Sequence, residues 1–182
     1  METPLWTERA PSIMRLEQMI RPLTEGDAFA YVELRRVALL DAPLCFSASP
    51  ADDVAASVDA VRAQLRQAAD GVVIGAFDPA LVGAVGLFRD RHRKAAHKMH
   101  LWGMYVVPNR RRRGIAAALL DAAIAHARSC SGVARIHLGV TSAASDAQRL
   151  YQRAGFELWA SEPDALRCGG LSVVEHHLLL RL

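Results

Sequence analysis

The stretch Val106-Val107-Pro108-Asn109-Arg110-Arg111-Arg112-Arg113-Gly114-Ile115-Ala116 constrains this chain more than any other. An apolar run breaks at a proline, passes four arginines and enters an alanine-rich segment, so strand, turn and helix must follow in close succession. The first N–H groups of a helix lack intrahelical partners and sit at the positive end of its dipole. Such a junction suits a pyrophosphate wherever small side chains let one approach, and Gly114, Ala116 and Ala117 are small. Composition alone favours a solvated charge cluster or a nucleic-acid patch. Position between an apolar strand and a helix start reverses that preference toward anion binding by the turn.

The charge distribution points to the same place. The formal net charge is only +3, yet nine Lys/Arg stand against Asp90 alone between Arg89 and Arg113, a local +8 that leaves −5 for the rest. One basic belt in an otherwise acidic chain is what a polyanionic ligand requires. The 182 residues suit one domain, expected over 18–182 with residues 1–17 as a flexible N-terminal extension. No apolar run approaches the ~18 residues of a membrane span, and charged residues interrupt the first twenty, so a soluble, cytoplasmic protein is expected. Cys45, Cys130 and Cys168 are odd in number and unpaired in spacing, which predicts reduced, packed thiols.

Around the turn, the periodicities predict a short strand at Gln18–Pro22, then Thr24 and Asp27 as a near capping box opening a helix to about Leu40. A second helix is expected from Pro50, capped by Ser49, with Val54, Val58, Val61 and Leu65 at helical spacing. Strands follow at Val72–Phe77, Leu81–Phe88 and Met99–Val107, the first two as a hairpin. The helix after the arginine turn is predicted from about Arg112 to Arg128, with Leu119, Leu120 and Ile124 in the core. A strand at Ala134–Val140, a helix at Asp146–Ala154 ended by Gly155, and strands at Phe156–Ala160 and Ser172–Leu180 complete the chain. The order β-αα-βββ-α-β-α-ββ predicts an α/β (α+β) fold: a mixed, mostly antiparallel central sheet of six to seven strands with helices on both faces.

Three segments also carry a resemblance. Arg111-x-x-Gly114-x-Ala116 after Val106-x-Pro108 resembles the acetyl-CoA turn of the GCN5-related N-acetyltransferases, the GNAT superfamily. His100-Leu101-Trp102-Gly103-Met104-Tyr105-Val106 is similar to that family's central strand, and Leu150-Tyr151-Gln152-Arg153-Ala154-Gly155-Phe156 to its closing motif, in the same order. The resemblance implies acetyl-CoA as co-substrate, its pyrophosphate on backbone groups of Arg111, Arg112, Arg113, Gly114, Ile115, Ala116 and Ala117. It implies that the pantetheine arm lies along Met104, Tyr105 and Val106 in a V-shaped gap between strands, with a backbone N–H polarising the acetyl carbonyl. Tyr151 stands where the family places the general acid for the departing thiolate.

For the base, imidazole has a suitable pKa, and His100 occupies a position where some family members carry a glutamate; Trp102 and Met104 are expected on its side by period two. A water relay is the alternative. The family's asparagine before the closing helix falls on Ala144, with Thr141, Ser142 and Ser145 as neighbours that could compensate. His92, His97, His126, His137, His176 and His177 show no metal-ligand spacing, so no metal is expected. Cys130 and Cys168 have no adjacent base in sequence, which disfavours a covalent cysteine route.

The expected reaction is transfer of acetyl to a primary amine by direct attack, the acceptor being a small molecule or a peptide, or an amine carried on nucleic acid. Glu33, Asp41, Asp52 and Asp53 are candidates for attracting it, although a solvated helix face explains most of them. The alternative is a non-catalytic domain that senses CoA, or binds RNA or protein through the Arg89–Arg113 belt. The apolar final strands are a candidate homodimer surface.

Overall fold

The computed structural model describes residues 19–53, 55, 57–66 and 71–182. The expectation for residues 1–17, the Gln18 end of the first strand and the place of Val54 lie outside the described residues. Strand β1 (Ile20–Pro22) is followed by a 3-10 turn at Glu25–Asp27 and helix α1 (Ala28–Asp41). The Thr24–Asp27 capping box forms, and it opens the 3-10 turn ahead of the helix: Thr24 N donates to Asp27 Oδ2 at 2.8 Å. Helix α2 spans Val58–Arg66, later than the expected start at Pro50. Ser49 N and Oγ are tied to Asp52 in a local turn, which satisfies the groups that would have capped a helix there.

Strands β2 (Gly71–Phe77), β3 (Leu81–Arg89) and β4 (Lys98–Val106) form a meander, followed by helix α3 (Ile115–Ser129), strand β5 (Arg135–Thr141) and helix α4 (Ser145–Arg153). Strands β6 (Glu157–Cys168) and β7 (Leu171–Arg181) close the chain, and the sheet order is β1-β2-β3-β4-β5-β7-β6. This is the predicted order of elements and the predicted mixed sheet, with β4 and β5 the one parallel pair among the described residues.

The final hairpin is longer than expected. Gly169 and Gly170, at φ +57° and +79°, make a two-residue turn between paired Cys168 and Leu171. Pro163 sits inside β6 next to a register shift between Glu162 and Leu166, a placement an edge strand tolerates because one row of its N–H groups has no ladder to feed.

Two cores flank the sheet. One packs α3 against it through Leu119, Leu120, Ala123, Ile124 and Ala127, with Met99, Leu101, Val106, Ile136, Leu138, Val140 and Tyr151. The other packs α1 and α2 on the opposite face through Tyr31, Leu34, Ala38, Val61, Val73 and Tyr105. Arg35 of α1 is buried there in an ion pair with Asp53 at 3.0 Å, its guanidinium over the rings of Phe46 and Trp102. No helix among the described residues is long and apolar enough to cross a membrane.

Candidate active site

Strands β4 and β5 start side by side and then part. Their register is limited to Lys98↔Arg135, Met99↔Ile136 and His100↔His137, so beyond His100 the edge of β4 facing β5 has no ladder partner. On its other edge β4 stays paired to β3 through Ala84↔Tyr105 and Gly83↔Val106. The result is a V-shaped opening bordered by backbone N–H and C=O groups that need partners.

Within β4 the alternation of faces is broken. Gly103 takes φ +63°, and the register shifts between Ala84 and Gly86 opposite it, the signature of a bulge. Met99 and Leu101 belong to the α3-side core, as do Met104 and Val106, whereas Trp102 and Tyr105 pack on the α1 side. Met104 therefore lies on the face opposite to Trp102 and His100. Plain period two put all three together; the extra residue of the bulge reverses the side.

The turn after β4 differs in detail from the predicted helix start. Pro108–Arg110 is a 3-10 turn, and α3 begins at Ile115, so the four arginines precede the helix. Arg112 and Gly114 both have left-handed backbone, φ +63° and +83°. The first helical bond runs from Ala118 N to Gly114 O at 3.0 Å, leaving the N–H groups of Ile115, Ala116 and Ala117 without intrahelical partners. Those of Arg112, Arg113 and Gly114 have no backbone partner among the described residues either. Six consecutive donors at a helix N-terminus are a donor set that an anion could use.

A groove of about 640 Å³ joins these features. Met104, Tyr105 and Val106 form one wall, Arg111, Arg112, Gly114, Ile115, Ala116 and Ala117 the floor, and Ala144, Ser145, Ala147 and Leu150 the other wall, with Asp41, Cys45 and Phe46 at one end. Of the cofactor residues expected from sequence, all but Arg113 line it.

The arginine side chains are largely spoken for. Arg111 donates from Nε to Val106 O at 2.8 Å and from its terminal nitrogen to Asp41, and its guanidinium lies over the Tyr105 ring. Arg110 Nε lies 3.0 Å from Asp78 Oδ2, and Arg113 reaches the same carboxylate at 3.9 Å. Arg112 alone of the four has no acidic partner among the described residues. Tyr105 Oη donates to Asp41 Oδ2 at 3.0 Å; burial and then this carboxylate push its pKa up to about 12. The Arg111 guanidinium, foremost, holds Asp41 below the ordinary carboxylate range.

Tyr151 is 4% exposed, its ring edge-on to Phe156 at 5.7 Å. Burial alone drives its hydroxyl well above a free phenol's pKa. His100 is on the other face, stacked on Phe88 at 4.8 Å, with Nε2 2.9 Å from Asp90 Oδ2. Neither Tyr151 nor His100 lines the groove. Ala144 does, at the start of α4, and of the hydroxyl residues Thr141, Ser142 and Ser145 only Ser145 joins it there; Ser142 Oγ accepts from Val174 N.

The four acids considered for an amine are all engaged: Glu33 with Arg36, Asp41 with Arg111 and Tyr105, Asp52 with Ser49, Asp53 with Arg35. Sequence reading missed Cys45, whose thiol lines the groove and is pushed up in pKa by burial. Cys130 does have a neighbouring base: its sulfur is 3.8 Å from His126 Nε2, an i,i+4 pair at the far end of α3. Glu162, Glu175 and His177 bring their donor atoms within 4.8 Å of one another, a grouping that only the β6–β7 pairing creates.

The profile of the acetyltransferase (GNAT) family matches residues 33–156, more than half of the chain. Among solved structures, an acetyltransferase of the GNAT family from Streptococcus pneumoniae superposes with a TM-score of 0.81 at 21% identity, covering 90% of this chain and 98% of that one. The yncA structure from Salmonella typhimurium with its cofactor acetyl-CoA gives 0.76 at 21% identity, over 90% and 92% of the two chains. A ribosomal-protein-alanine N-acetyltransferase from Brucella melitensis gives 0.76 at 21% identity, over 90% and 99%. At these identities the likenesses show the fold. No curated protein matches the sequence.

Proposed function

The chain belongs to the acetyltransferase (GNAT) family and is an acyltransferase that uses acetyl-CoA, and we propose that it moves the acetyl group directly to a primary amine within a ternary complex. The observation that carries this reading is the groove in which six N–H groups without a backbone partner among the described residues meet the unpaired edge of β4. The residues present fit the cofactor. The nest over Arg112–Ala117 would hold the pyrophosphate, with Arg112 adding charge and Arg113 contributing backbone. The β4 edge at Met104, Tyr105 and Val106 would pair with the pantetheine amides. Acetyl-CoA supplies an activated thioester; the chain supplies alignment and a backbone donor for the carbonyl oxygen as charge develops on it.

Tyr151 follows Leu150, which lines the groove, and is itself buried outside the lining; its position in the closing motif alone assigns it the donor role toward the departing thiolate. A thiol's pKa near 8.5 lies well below that of a buried phenol, so full proton transfer from Tyr151 runs uphill. Its role is a hydrogen bond that stabilises the thiolate while the phenol stays neutral. The attacking amine's proton leaves through a water relay, with His100, which stands outside the groove beside Asp90, as its terminal acceptor.

The test is CoA release with acetyl-CoA and a panel of primary amines. Amine-dependent release with intersecting double-reciprocal lines is expected, and Cys45→Ala should retain turnover. Parallel lines together with loss of activity in Cys45→Ala would instead indicate an acetyl-cysteine intermediate at the one thiol lining the groove.

A further inference from the structure

The basic loop between β3 and β4 plays no part in the cofactor groove. Arg91, Arg93 and Lys94 are exposed and make no ion pair with any described residue, while Arg89 is turned inward to staple the loop through Ala96 O. The sheet register adds Arg135 directly opposite Arg181 at the same end, a like-charge pair that disfavours the sheet.

Beside this loop, on the face that carries α1 and α2 elsewhere, no helix among the described residues covers β5, β7 and β6, and a row of rings crosses it. Phe88 stacks on His100 at 4.8 Å, His100 meets His137 at 5.8 Å, His137 meets Trp159 at 6.1 Å, and Trp159 meets His177 at 5.8 Å. Phe88 is 46% and Trp159 57% exposed, so large apolar ring area faces solvent. His137 Nε2 is buried without a hydrogen-bond partner.

We propose that this face binds a single-stranded segment of RNA, its bases laid against Phe88, His137 and Trp159 and its phosphates along Arg91, Arg93 and Lys94. Positive charge without acidic partners complements a polyanion, and exposed planar rings next to it complement unpaired bases. An acidic peptide would use the charge and leave the rings idle. At the far end of the row, the carboxylates of Glu162 and Glu175 repel phosphates but accept hydrogen bonds, which suits the 2′-hydroxyls that distinguish RNA from DNA. This inference is separate from the cofactor groove, since none of Phe88, Arg91, Arg93, Lys94, His137 and Trp159 lines it; His100 is the one residue the two readings share, and acetyl-CoA binding and RNA binding can each fail alone.

The full chain is titrated with a labelled uridine oligonucleotide, following anisotropy and tryptophan emission. Binding with quenched emission is expected, weakening with salt at a log–log slope of about −2 for three neutralised phosphates. The triple variant Arg91→Glu, Arg93→Glu, Lys94→Glu should abolish it while leaving acetyl-CoA affinity unchanged. Trp159→Ala should weaken binding by about tenfold or more, with Trp159→Phe largely restoring it. No binding at low salt would overturn the proposal, as would equal binding of wild type and Trp159→Ala with heparin competing fully, which is plain charge attraction. A thymidine deoxyoligonucleotide bound as tightly as the uridine one would overturn the assignment to RNA.

Discussion

At the scale of single residues, Arg112 separates what backbone does from what side chain does. A non-glycine residue at φ +63° is strained by roughly 1–2 kcal/mol. Arg112→Gly should therefore raise thermal stability by about 1 kcal/mol, read as an increase in Tm, and weaken acetyl-CoA binding only a few-fold if the nest of N–H groups dominates. Tyr151→Phe should lower kcat by about tenfold and leave cofactor affinity intact; because burial raises the Tyr151 pKa, wild type should show no alkaline loss of kcat from this group up to pH 10. Residues of this kind are partly legible in a sequence. The arginines, Gly114 and Tyr151 announce themselves through motif and spacing. The Asp41 partner of Arg111 lies seventy positions away in the chain, so the neutralisation of that arginine could be seen only once α1 was laid beside the turn.

At the scale of elements, the bulge in β4 decides which side chains face which pocket. Gly103 is left-handed, and a Cβ there would stand 3.3 Å from Arg35 Nη1, which is buried without a partner. Gly103→Ala should cost about 1 kcal/mol or more and, by shifting the strand that aligns the thioester, lower kcat/KM more than it lowers Tm predicts; steady-state kinetics beside a thermal melt measure both. Strands and helices themselves were readable because their apolar periods are clean: Leu119, Leu120 and Ile124 are buried as the α3 pattern requires. The misread places share a cause, which is context that no local window contains. A single glycine inverted the face of Met104, and the edge position of β6 made Pro163 compatible with a strand that runs past its expected end at Ala160. The Ser49–Asp52 turn took up the cap of a helix that starts later.

For the whole molecule, the sheet works as two halves that share a parallel seam of three residue pairs and then diverge, so the site is a consequence of topology. Contacts at the rim of this opening should matter to stability in a pH-dependent way. Asp41 of α1 ties to Arg111 and Tyr105, and its pKa is depressed in the folded state chiefly by Arg111. A depressed carboxylate contributes stability that is complete above its unfolded pKa near 4 and is lost as pH falls through its lower folded value. Asp41→Asn should thus lower Tm by about 2–4 °C at pH 7, for a pair worth roughly 1 kcal/mol, and by almost nothing near pH 2. The most direct measurement is calorimetric titration of acetyl-CoA into wild type and Gly114→Glu, with circular dichroism to show that both are folded. Micromolar binding to wild type and at least a hundredfold loss in the variant are expected, because a carboxylate and a strained φ would occupy the nest. Equal binding by the two folded proteins, or none by wild type, would contradict the assignment of this turn and groove to the cofactor.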